Sequence, residues 1–213
     1  MKRFLFLLLI AAVIAYVWIV QKEYILKPSQ LETKHYTKLR DMTNATTQGI
    51  IAVEDVRYRY HIGVDPLGMI RAVKVGVEKG KATEGASTIT QQVARNAFLN
   101  QDRTVKRKAK EMMIALNLNA NYSKDDVLEY YLNLIYYGHG YYGIHDAAKG
   151  YFGKEPKDLT IDETALLIGL PQAPSAYNPI EHPELAKQRR NTVLDVMARE
   201  GIITKAEASE YKE

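Results

Sequence analysis

The segment from Phe4 to Val20, FLFLLLIAAVIAYVWIV, is unbroken by any charge. At 1.5 Å per residue a helix of this length spans about 25 Å, slightly short of the ~30 Å hydrocarbon core. Lys2 and Arg3 precede it, and Gln21, Lys22 and Glu23 end it. Tyr16 and Trp18 sit near its outer end, where amphipathic rings favour the membrane interface. A cleaved signal peptide is the competing reading. The run is long for such a peptide, and its small-residue candidates, Ala12 and Ala15, lie inside it. An uncleaved signal anchor is therefore expected. The positive start puts the N-terminus in the cytoplasm and the rest outside, although Lys22 and Lys27 dilute the bias.

The chain has 213 residues, enough for one domain with a real core. It has no cysteine, so a disulfide framework and a thiolate metal site are both excluded. A net charge of +4 fits anionic lipid or phosphate as readily as nucleic acid. The organisation expected is a cytoplasmic 1–3, an anchor over 4–20, a polar, basic connector over 21–48 and one domain over 49–213. From Gly49 onward the periodicity is helical. Met69 to Gly80 presents Met69, Ile70, Val73 and Val77 on one face, and a charged loop, Lys79 to Glu84, follows. Ser123 caps a helix whose Leu128, Tyr131, Leu132 and Ile135 share a face. Thr160 with Glu163, and Thr204 with Glu207, form capping boxes, and Pro183 opens a helix. Strand signals are few, so the fold class is mainly α.

Four clusters carry chemistry. In EDVRYRYH, Glu54 and Asp55 follow an apolar segment, with Tyr58 and His61 just beyond. An acid beside another acid and partly desolvated has a raised pKa, as a general base needs. The plain alternative is a surface helix start with acids at its positive end. In EGASTITQQVARN, a helix would align Ser87 with Gln91 and Arg95, and Thr88 with Gln92 and Arg95. Such a polar stripe with a cationic end suits an oxygen-rich ligand ending in phosphate, and equally a solvated face with a capped start. In RKAKE, Arg107 and Lys108 share a face with Glu111, which alone means ordinary intrahelical pairing. Tyr130 to Gly143 is rich in Tyr, Asn and Gly, fit for sugar stacking or for core packing. His139 and His145 lack zinc spacing with a nearby third ligand, so no structural metal is expected.

In this order EDVRYRYHIG, EGASTITQQVARN, RKAKE, YLNLIYYGHGYYGI with AAKGYFGK, and LLIGLPQAPSAYNP closely resemble glycosyltransferase family 51. That is the peptidoglycan glycosyltransferase domain found in monofunctional enzymes and in bifunctional penicillin-binding proteins. The resemblance covers about Gly49 to Asn178 and, more loosely, the remainder. It implies a lysozyme-like helical large lobe, a small membrane-proximal lobe, and a flap near Lys79 to Glu84. The chain's ending at Glu213 points to the monofunctional form.

The reaction implied links lipid II into glycan strands. The 4-hydroxyl of one lipid II attacks a strand held on undecaprenyl pyrophosphate, with inversion. By resemblance Glu54 is the general base, Asp55 orients it or raises its pKa, and Glu111 is the second carboxylate, which orients cations or contacts the donor sugar. Arg95, Arg107 and Lys108 match pyrophosphate-holding cations, and Arg71 another arginine of the cleft. Ser87, Thr88, Gln91 and Gln92 match the sugar site, with Tyr58 and His61 also placed in substrate binding. Two positions depart from the family pattern: Tyr58 replaces its phenylalanine, and Arg95 its lysine. No cofactor is obligatory, though some members respond to Mg2+ or Mn2+. The partners implied are lipid II, the lipid-linked strand, the bacterial membrane, cell-wall synthesis proteins and moenomycin-type inhibitors. Nucleic acid is disfavoured, because the cations are interleaved with acids. The rival readings are a lytic transglycosylase, with the same lobe and a catalytic Glu, and a non-catalytic partner of a cell-wall complex.

Overall fold

The computed structural model describes residues 7–15, 24–79, 87–100, 102 and 104–212, without the side chains of 73 and 77–79. The helices are α1 (7–15), α2 (Asn44–Glu54), α3 (Pro66–Lys79), α4 (Ile89–Phe98), α5 (Val105–Asn121), α6 (Lys124–Leu134), α7 (Ile144–Phe152), α8 (Ile161–Gly169), α9 (Pro183–Arg199) and α10 (Lys205–Glu210). Among the described residues the β structure is one isolated antiparallel bridge, Tyr136 to Tyr142. The mainly helical expectation holds.

Start signals in the sequence are used as physical caps. Ser123, Thr160 and Thr204 each accept the N–H three residues on, and the acid there reaches back to the cap. Each such box satisfies two donors that a helix start leaves unpaired. The helices then sort by their apolar faces. α8 packs against α9, and α2 lies across both, with α10 against α9. α4 packs against α5 and α6, and α7 joins the two groups through α6 and α8. Ile50, Ile89, Ile114, Leu128, Leu132 and Ile168 are buried in the shared core.

Residues 24–43, a connector by sequence, lie along α5 and α6. Asn133 is fully buried, accepting from Thr37 N at 2.8 Å and donating to Thr37 O at 2.8 Å. Leu26 N donates to the Tyr122 hydroxyl at 3.0 Å, and Leu39 N to Glu129 at 2.9 Å. α3 lies at the periphery, with Leu67 and Ile70 both exposed. Among the described residues no helix is long and apolar enough to cross a membrane. Of the expected anchor over 4–20, residues 7–15 are described as α1 and the rest lie outside the described residues, as does most of the expected flap.

Candidate active site

Glu54 is the last residue of α2, and Asp55 is its C-cap. The acids therefore end a helix and do not start one. The negative end of the helix opposes an ionised Glu54. Part of its side chain opens to a cleft, yet burial pushes its pKa up, against the lowering effects of Gln92, Arg189 and Arg95, with Asp55 adding to the rise. Gln92 Nε2 donates to Glu54 Oε2 at 2.7 Å, and the Tyr131 hydroxyl donates to Gln92 Oε1 at 3.4 Å. Burial also raises the Tyr131 pKa, so this hydroxyl stays a donor. The chain Tyr131, Gln92, Glu54 leaves the carboxylate held in place and poised to take a proton.

Asp55 lines the same cleft. Its Oδ2 accepts from Ile89 N, the first residue of α4, at 3.1 Å and from His61 Nε2 at 2.8 Å. Gly63 N donates to His61 Nδ1 at 3.1 Å, so Nε2 carries the proton given to Asp55. Gly63 has φ 100°, and a Cβ there would lie 2.4 Å from the Ala115 carbonyl. Only glycine fits both demands. The Thr88 hydroxyl donates to Gly63 O at 2.6 Å. Arg57 closes the loop onto Asp65 at 2.6 Å.

These contacts correct several sequence assignments. Tyr58 is fully buried, and its hydroxyl donates to Lys124 O at 2.7 Å, which absorbs the extra oxygen relative to phenylalanine. Lys124, its ammonium pulled down to about 8 by burial, lies 4.8 Å from the Tyr58 ring centre. Tyr58 and the His61 side chain belong to the wall behind Glu54, out of reach of a ligand. α4 begins at Ile89, so Ser87 and Thr88 precede the helix rather than ride on it. Thr88 is the N-cap, and its exchange of hydrogen bonds with Gln91 makes a capping box. Gln91 is buried by that role and is not on a sugar-facing stripe. Gln92 does face Glu54, and the charge of Arg95 acts to lower the Glu54 pKa.

Glu111 is fully buried in α5. Arg107 Nη1 reaches its Oε2 at 2.5 Å, and Lys108 Nζ bonds its Oε1. Lys108 Nζ also donates to Ser87 Oγ at 2.7 Å. Both Glu111 oxygens are taken by cations, so it orients Arg107 and Lys108 instead of touching a sugar. A cavity of about 450 Å³ is lined by Glu54, Asp55, Arg71, Ser87, Thr88 and Glu200 among others. Arg71 is one of the residues lining this cavity.

The sequence reading missed Arg189 in α9. Its Nε donates to Gly169 O at 3.1 Å, its guanidinium lies 5.8 Å from the Tyr177 ring centre, and it acts on Glu54. Burial lowers its pKa. The signal was available: Arg189 falls on the same stripe as the buried Ala186, Val193 and Met197.

The Transglycosylase family matches residues 21–198. The chain belongs to that family. It is similar to penicillin-binding protein 1A of Vibrio cholerae, 51% identical over 170 residues, covering 80% of the chain and 21% of the relative. Penicillin-binding protein 1F of Bacillus subtilis is 47% identical over 177 residues, covering 83% and 25%. The crystal structure of penicillin-binding protein 1A from Haemophilus influenzae has a TM-score of 0.52 at 24% identity, covering 86% of the chain and 18% of that structure. The chain thus spans a quarter or less of the length of these relatives.

In this transglycosylase domain Asp55 is a clip between the loop that follows α2 and the start of α4. Asp55→Ala strands two buried donors, each worth about 1–3 kcal/mol. We expect the variant to lose about 3 kcal/mol of unfolding free energy in urea melts. A melt within about 0.5 kcal/mol of the parent would show that the clip carries little.

Proposed function

We propose that this domain polymerises lipid II into peptidoglycan glycan strands, with Glu54 taking the proton of the acceptor 4-hydroxyl. The observation that carries the reading is Glu54 itself. It is a carboxylate with a raised pKa, held by Gln92, opening on a polar cavity that Ser87 links to the cations Lys108 and Arg107. The relatives' name, penicillin-binding protein, agrees with work on the cell wall.

A pyrophosphate leaving group departs as an anion and needs charge stabilisation more than a proton. In the reading, Lys108 and Arg107 supply it from one side of the cleft, with Arg71 beside them. Glu54 works at the other side, with its charge moderated by Arg95 and Arg189. As the acceptor oxygen loses its proton to Glu54, it attacks the anomeric carbon opposite the departing pyrophosphate, which inverts that centre. Both oxygens of Glu111 face cations, a poor seat for Mg2+ or Mn2+, so no step is routed through a metal. A hydrolase acting on finished glycan has no anionic leaving group, and the Arg107–Lys108–Glu111 cluster would be idle in it.

The substrates carry lipid tails. The exposed Tyr60, Ile62, Leu67 and Ile70 are apolar surface close in sequence to the cleft residues, and suit a membrane-facing small lobe. The run 4–20 acts as a single-pass anchor with the catalytic domain outside the cytoplasm. Cell-wall synthesis proteins and moenomycin-type phosphoglycolipids are the partners and inhibitors that such a cleft would meet.

The test is incubation of the full chain, in detergent, with lipid II and separately with purified sacculi, each with and without EDTA. Polymer from lipid II, unchanged by EDTA, is expected. Soluble fragments from sacculi without polymer would overturn the reading in favour of a lytic enzyme, and inertness toward both in favour of a non-catalytic partner.

A further inference from the structure

The fold builds a second cluster of chemically able side chains away from the cleft. His145 lies in the first turn of α7 beside Asp146, and His35 reaches them from the segment before α2. The Asp146 Oδ1 lies 3.3 Å from His145 Nδ1 and 3.8 Å from His35 Nδ1. One donor atom from each of the three residues falls within 4.8 Å of the others. From these contacts we propose that His35, His145 and Asp146 form a Zn2+ site that staples the segment around His35 to α7.

The geometry suits the ion. Donors on a tetrahedral Zn2+, bound at about 2.0–2.1 Å, sit about 3.3 Å apart. The His145 and Asp146 donors are already there, and His35, with a side chain 64% exposed, is free to close the remaining gap. Two imidazoles with one carboxylate are a borderline set that favours Zn2+ over Mg2+ or Ca2+. The chain has no cysteine to compete for the metal.

The surroundings also suit a metal site. Glu155 Oε2 lies 3.6 Å from His145 Nε2, on the ring edge facing away from Asp146. A small rotation of the ring brings that carboxylate within hydrogen-bond distance of Nε2 and leaves Nδ1 for the metal, the usual arrangement of a metal-bound histidine. Lys149 in turn holds Glu155 at 2.5 Å. The backbone on each side of His35 is anchored. Thr37 is clasped by Asn133, and Thr33 packs at Gly143, where an added Cβ would meet it at 3.1 Å. A groove of about 630 Å³, lined by His35, Tyr141, His145 and Asp146 among others, gives the ion a way in.

Sequence spacing hid this site. His145 has no third ligand nearby along the chain, and His35 arrives from 110 positions away only because the early segment lies along α6. The staple adds a metal bond to a join made of hydrogen bonds, the Lys38–Glu129 ion pair and the packing of Leu26, Leu31 and Leu39 on the core.

The test uses the full chain in detergent, stripped with EDTA and dialysed, and titrated with ZnCl2 in a calorimeter and in thermal melts. One Zn2+ per chain with micromolar or tighter affinity is expected, together with a rise in Tm on adding Zn2+. His35→Ala and Asp146→Asn should each weaken binding at least tenfold and abolish the Zn2+-dependent rise. Glu155→Gln should weaken binding about tenfold, and His182→Ala should bind as the parent does. Because His35 is exposed, its variant should keep the parent's metal-free melt. Parental affinity in His35→Ala, or no binding at 100-fold excess over the protein, would overturn the proposal.

Discussion

Glu54→Gln should abolish polymerisation, by about a thousandfold or more in turnover, while leaving the protein as stable as the parent or more so at pH 7.5. General-base removal costs about 10²–10⁴ in rate. The stability half follows from linkage. Burial raises the Glu54 pKa in the folded state above its unfolded value. The folded protein therefore binds this proton more tightly, and that contribution is full below the unfolded pKa. It is lost as pH rises through the folded value. At pH 7.5 the parent bears the cost of a buried carboxylate, and the amide does not. The variant's advantage should shrink as pH falls into the ordinary carboxylate range. Paired activity assays and melts check both halves. Polymer at the parent's rate would remove Glu54 as the base, and a lower Tm at pH 7.5 would refute the linkage argument.

With Glu54 as the proposed base, the same carboxyl should set the acid limb of the activity profile. Base catalysis needs Glu54 ionised, so kcat/KM should fall as pH drops through a pKa above the usual carboxylate range. Gln92 holds that pKa down through its 2.7 Å hydrogen bond. Gln92→Leu should move the acid limb further up in pH, which a purely structural role for Gln92 would not do.

Glu111→Gln should cost at least about a hundredfold in activity and about 2–4 kcal/mol in stability. Its side chain is 1% exposed and carries two cations, with Arg107 15% and Lys108 35% exposed. Removing one partner of a buried pair costs about 3–5 kcal/mol, less where the stranded charges can reach water. An amide offers one oxygen to two cations and turns its NH2 on the other. Lys108 would then lose its aim at Ser87 and the cavity edge. Because Glu111 acts through those cations, the loss should fall on kcat more than on KM. A folded Glu111→Gln protein with parental kcat would sink the positioning role.

Some of the site was legible because the information is local. The capping boxes at Ser123, Thr160 and Thr204 each use two side chains three residues apart, and one helical turn brings them together. Glu54 stood out as an acid directly after an apolar run. Tyr58, His61 and Gln91 were misread because a polar side chain looks the same in sequence whether it meets a ligand or a buried group of the protein itself. Their partners, Lys124 O, Asp55 Oδ2 and Thr88 N, decide which, and Lys124 lies 66 positions along the chain from Tyr58. Arg189 escaped notice because its target, Glu54, lies 135 positions earlier.

By itself, then, the sequence determined the helical class, most helix starts and the family, since periodicity, caps and motifs act over a few residues. The tertiary structure alone decided which polar groups face the cleft and which are sealed behind it. It also turned Glu111 toward its cations, brought Arg189 to Glu54 and set His35 against His145. Burial and long-range approach are properties of packed helices, and desolvation, which raises the Glu54 pKa, does not exist until they pack.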